Sequence, residues 1–209
     1  MQSSTTDPMK ITLEHDYAVV ETPAAHAVEH HDYRLFGVFV FLLAESMIFL
    51  GLFMAYLTFR AVAPTWPPEG TPERELLLPG INTLILIASS FVIHQADTAI
   101  KKNNVGGLRI WFFSTALMGA AFLAGQLYEY HHLEFGLTTN LFASTFYVLT
   151  GFHGLHVTFG LILISAVLWR SLKKGHYSSE HHFGVEAAEL YWHFVDVVWI
   201  VLFFLLYIL

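Results

Sequence analysis

The chain has 209 residues, of which 55% are apolar, only 13% are charged and none is cysteine. An ordinary soluble domain carries charge on about a quarter of its residues, so that class is excluded, and the missing thiols exclude disulfides, thiolate metal sites and cysteine nucleophiles. A net charge of −7 argues against nucleic acid as a partner.

Residues 1–34 read as a polar, mildly acidic tail without the apolar stretch of a signal peptide. Residues 35–209 read as one transmembrane domain. Its first run, Leu35 to Phe59, has a single charge and is long enough to cross a hydrocarbon core of about 30 Å. The Pro- and Gly-rich APTWPPEGTPERELLLPG cannot be one helix. A second run spans 81–100, with polar residues toward its end. KKNNVGGLR reads as a short turn. Further runs span 110–130, 141–169 and about 188–209, the last two joined by a polar loop. Continuous apolar runs exclude a β-barrel, whose strands alternate. The expected fold is all-α: a polytopic bundle of five transmembrane helices.

Basic residues set the expected orientation. Lys10, Arg34, Lys101, Lys102, Arg109, Arg170, Lys173 and Lys174 fall on one side, against Arg60 and Arg74 on the other. That bias places the N-terminus inside and the C-terminus outside. Trp111, Tyr128, Tyr130, Trp169, Tyr191 and Tyr207 lie near predicted helix ends and read as interfacial aromatics.

Polar residues inside the runs are the candidate functional groups. Glu45 lies about 15 Å into the first helix, where an ionised carboxylate is costly. It should be protonated, paired or next to water, with the adjacent Ser46 as one candidate partner. Gln126 and Glu129 share a face of the third helix, with Glu129 close enough to its end to touch headgroups. His153 and His156 share a face of the fourth. The small residues around them, Gly151 and Gly154 among them, suit close helix approach, with the imidazoles bonding across the contact. In the fifth helix Glu186, Glu189, His193 and Asp196 are spaced three, four and three, which stacks them on one side. Val195, Val198 and Leu202 then face lipid. The spacing suits a hydrogen-bonded His–carboxylate pair, and it permits iron or zinc without demanding either.

Two other classes fit less well. A histidine-rich di-iron enzyme needs its ligands at one depth, whereas His131 and His132, His153 and His156, and His181, His182 and His193 fall at three. A transporter has the intramembrane acids in its favour, but no inverted repeat supports it.

The stretches FLLAESMIF, GQLYEYHH, FYVLTGFHGLHVTFG and SSEHHFGVEAAELYWHFVDVVW together resemble subunit III of the haem–copper terminal oxidases, over about residues 33–209. The resemblance is to the five-helix bacterial form, lacking the first two of the seven helices of mitochondrial members. It matches Glu45 to the family's carbodiimide-reactive membrane glutamate, His193 and Asp196 to its histidine–aspartate pair, Glu129 to its Glu in the corresponding helix, and His153 and His156 to its glycine-flanked histidines. It implies a subunit that itself holds no catalytic centre, haem or copper, within a proton-translocating oxidoreductase complex. Haem and copper then belong to subunits I and II. The implied role is to stabilise subunit I, hold phospholipid and support proton uptake. The implied location is a bacterial inner membrane, with a thylakoid as an alternative. The closing block resembles the cytochrome c group more than the quinol oxidases. Small proteins accompanying nitric oxide reductases are a more remote relation.

Overall fold

The computed structural model describes residues 33–72 and 76–209. Most of the expected tail, with Lys10, lies outside the described residues, as does Arg74. Five helices follow in order: α1 (Arg34–Val62), α2 (Leu77–Lys101), α3 (Val105–His132), α4 (Leu141–Ser171) and α5 (Phe183–Phe203), the last continued by a π-helical turn, Phe204–Ile208. All five are long and apolar enough to cross a membrane, and no strand occurs among the described residues.

Two helices, α2 and α3, begin earlier than the apolar runs at 81 and 110 because local chemistry supports first turns outside those runs. In α2, Pro79 sits in the first turn, where its missing N–H costs nothing. In α3, the Asn104 side chain accepts from the Gly107 N–H at 2.8 Å, so Gly106 and Gly107 are helical rather than part of the expected turn. That turn is tight, and Asn103 adopts φ 55°, a conformation asparagine tolerates. Asn140 caps α4 in the same way, accepting from the Ala143 N–H at 2.8 Å.

The hub of the bundle is α5. It packs against α1, α2 and α4. It meets α3 through the edge-on contact of Phe122 with Trp199, at 4.7 Å between centroids. Val195, Val198 and Leu202 are therefore buried, not lipid-facing as expected. With neighbours on nearly every side, the outward strip narrows to Val197, Ile200, Val201 and Phe204. Tyr191 and Tyr207 are also core residues rather than interfacial ones, whereas Trp169 and Tyr128 are well exposed.

Lipid tails are as apolar as leucine, so close packing and interhelical hydrogen bonds must hold the helices together. The close approaches are not at Gly151 and Gly154, where an added Cβ would find ordinary contact distances. They are at Gly119 and Gly160, which flank the Trp192 indole, and at Gly125 against Asn82. The two buried indoles also donate across helices, Trp192 to Ser89 at 2.8 Å and Trp199 to Thr83 at 2.9 Å. By contrast, α1 buries only Leu42, Phe49 and Tyr56, one residue every seven, and so leans on its neighbours along a thin seam.

Candidate functional site

The sequence-derived residues fall into three clusters. The first joins α1 to α4. His156 Nδ1 donates to the Phe152 carbonyl at 2.8 Å, which leaves the Nε2 lone pair facing Glu45 Oε2 at 3.1 Å. Two such atoms approach only with one proton between them. The Glu45 carboxyl is therefore paired inside the bundle. This solves the solvation problem posed by Glu45 without Ser46, whose hydroxyl turns back to the Leu42 carbonyl at 2.7 Å. Beside the pair runs an otherwise apolar groove of about 520 Å³, lined by Phe41 and Ile48 of α1 and Phe152 and Phe159 of α4.

The second cluster lies toward the far ends of α3 and α5. Glu129 is buried, so it is not a headgroup residue. Gln126 Nε2 donates to Glu129 Oε2 at 3.1 Å, and the Tyr207 hydroxyl donates to Oε1 at 2.8 Å. The carboxyl thereby ties the π-helical turn to α3. His153 is fully buried, stacked on Trp199 at 5.0 Å with Phe122 edge-on at 5.8 Å. It makes aromatic contacts rather than the expected interhelical hydrogen bonds, since its ring nitrogens have no partner among the described residues.

The third cluster is the largest. The acids of α5 do not act alone, because α2 runs antiparallel beside it and carries Ser90, His94, Asp97 and Lys101 at spacings of four, three and four. The two rows interlock. The Ser90 hydroxyl donates to Asp196 and lies 3.0 Å from His193 Nδ1. His94 Nδ1 meets Glu189 Oε1 at 2.9 Å. Glu189 Oε1 also lies 3.5 Å from His193 Nε2. Beyond them Lys101 holds Asp97 Oδ2 at 2.6 Å, and His182, just before α5, lies 3.3 Å from Glu186. Asp97 and Asp196 are buried, whereas Glu186 and His193 are partly open at the edge of the ladder.

Polar connections extend the ladder into the adjoining loops. Asn103 bonds twice to Ser179, at 2.9 and 2.7 Å, joining the α2–α3 turn to the α4–α5 loop. Arg109 bonds the carbonyl and hydroxyl of Ser171 at the end of α4, where a cation is favoured. The α2 half of the ladder escaped the sequence reading. Its signal was the S-x3-H-x2-D-x3-K spacing, which is the helical complement of the α5 row.

Comparison with known proteins gives the family. The family model for cytochrome c oxidase subunit III matches residues 16–209. The chain belongs to the cytochrome c oxidase subunit III family. It is 67% identical over 205 residues to "Cytochrome c oxidase subunit 3" of Synechocystis sp., a match covering 97% of this chain and 88% of that protein. With the protein of the same name from Thermostichus vulcanus it shares 61% identity over 184 residues, covering 88% and 91% of the two chains. With that from Coturnix japonica it shares 40% identity over 179 residues, covering 82% of this chain and 68% of the other. All three clusters lie inside the matched region.

Proposed function

We propose that this chain is the non-catalytic third subunit of an aerobic haem–copper oxidase that passes electrons from cytochrome c to oxygen. In this reading it packs on subunit I beside subunit II, and the haem and copper belong to those partners. The family match along residues 16–209 carries the reading. The α1–α4 groove is suited to a phospholipid acyl chain, since its walls are apolar and aromatic. The α2–α5 ladder supplies a set of carboxylates and imidazoles at the end bearing Lys101, Lys102, Arg109, Lys173 and Lys174. The positive-inside rule makes that the inner side, with the N-terminus inside. A charged, hydrated surface there helps keep proton entry fast in the neighbouring subunit. The membrane is a bacterial inner membrane or a thylakoid.

Oxygen consumption by the purified complex, with and without this subunit, followed over time from pH 6 to 9, tests the proposal. The depleted enzyme should turn over normally at first, then lose activity, or slow more steeply at high pH. Loss of the first turnover with haem and copper intact would show a catalytic role and refute it. Identical curves would remove the role in proton uptake.

A further inference from the structure

At the end of the ladder, Asp97 of α2, His182 of the α4–α5 loop and Glu186 of α5 bring one ligand atom each within 4.8 Å of one another. We infer that these three side chains form a binding site for a divalent transition-metal ion of the zinc class, clamping α2 to the start of α5. This goes beyond the proposed role in the oxidase and does not depend on it.

Four observations converge on the site. First, its donors are the imidazole nitrogen and carboxylate oxygens that zinc accepts, and three protein ligands leave a fourth position for water. Zinc–ligand bonds of about 2.1 Å place tetrahedral ligand atoms about 3.4 Å apart, and the three atoms here lie within 4.8 Å of one another. Second, two of the three ligands present buried atoms without a hydrogen bond, Asp97 Oδ1 and His182 Nε2. The Asp97 side chain is only 4% exposed, and its other oxygen is the one that holds Lys101.

Third, His182 is oriented for ligation. Its Nδ1 donates to the Ser178 carbonyl at 3.1 Å, the outer-shell bond that metal-binding imidazoles characteristically make. Its Nε2 then faces Glu186 Oε1, 3.3 Å away but without a hydrogen bond. These two atoms, with the Asp97 carboxylate, are the three corners of the triad. Fourth, the charge is right. Asp97, Glu186 and the neighbouring Glu189 bring three carboxyl groups to one ammonium, Lys101. The adjacent group of His94, Asp97 and Glu189 is the weaker candidate, because His94 and Glu189 already bond each other at 2.9 Å and the His94 side chain is 61% exposed.

The test uses the whole purified oxidase, stripped with a chelator and re-equilibrated with buffered free Zn2+. Bound zinc is counted by mass spectrometry for the parent complex, Asp97→Asn, His182→Gln and a control, His131→Gln, at the opposite end of the bundle. Parent and control should each hold one zinc more than either ligand variant, with affinity weakened about tenfold or more in the variants. Zinc should also raise the melting temperature of the parent but not of the ligand variants. Equal zinc content in the parent and the ligand variants overturns the inference. So does a parent complex that takes up no zinc. Should Asp97→Asn fail to assemble, His182→Gln decides, since that residue lies outside the helices.

Discussion

Replacing Gly160 by alanine drives a methyl group into Trp192. The new Cβ would stand 2.8 Å from Cε3 and 2.9 Å from Cζ3 of the indole, inside the range where something must move. The ring has little freedom to do so. Its opposite edge lies against Gly119, its N–H is held by Ser89 at 2.8 Å, and it is fully buried. Overpacking of this kind costs about 1–3 kcal/mol, while glycine-to-alanine in a helix returns up to about 1 kcal/mol. The fair control is Gly51→Ala, where an added Cβ meets nothing within 4 Å. Both changes carry the same helix gain, so their difference isolates the clash at about 2 kcal/mol. Unfolding of the subunit in mixed micelles, followed by tryptophan fluorescence, gives both values. Repeating Gly160→Ala in a Trp192→Phe background should recover most of the loss, because the smaller ring leaves space. Equal stabilities for Gly160→Ala and Gly51→Ala would refute the reasoning.

Three further outcomes follow from the clusters. Tyr207→Phe removes one of the bonds to buried Glu129 and should cost about 1–3 kcal/mol, with faster amide exchange in Phe204–Ile208 and little change in α1. Glu45→Gln can still donate to His156 Nε2 and should keep near-normal stability, whereas Glu45→Ala strands a buried imidazole and should lose about 1–3 kcal/mol; equal losses would show that the Glu45–His156 bond is not what matters. Because the chain has no native cysteine, Thr71→Cys and Lys174→Cys can be labelled from either side of sealed vesicles. The proposed orientation expects Thr71→Cys to react only from the outer side and Lys174→Cys only from the inner.

What could be read in the sequence divides along a physical line. Continuous apolar runs report a bilayer, because every residue of a spanning helix contributes to the signal. All five helices were therefore legible. Their starts were less so, because Asn104 and the first-turn Pro79 act through local geometry rather than hydropathy. The α5 acids were found, since four residues at helical spacing form a pattern within one segment. Their partners Ser90, His94 and Asp97 lie about a hundred positions away, and only the antiparallel packing of α2 on α5 brings them together. Orienting Val195 and Val198 failed for a related reason. A side chain opposite a polar face points to lipid only when the helix lies at the edge of the bundle, and the number of a helix's neighbours is not written in its own periodicity. The close-packing glycines were misplaced likewise, because the residue demanding space, Trp192, sits on another helix.

Of the five helices, α5 leaves the ribosome last, yet each of the others depends on it. Tyr56 reaches the Leu205 carbonyl at 3.0 Å, Ser89 and Thr83 receive the two indoles, Glu129 receives Tyr207, and the His156 carbonyl receives Tyr191 at 3.3 Å. Helices can insert into a bilayer one at a time and associate afterwards, so α1 to α4 can be threaded while the bundle is still open. Until α5 arrives, buried polar groups of α2 and α3 face an apolar phase without these partners. Insertion of the first four helices and completion of their polar contacts are thus separable steps, and a chain ending before residue 183 would lack every one of these bonds.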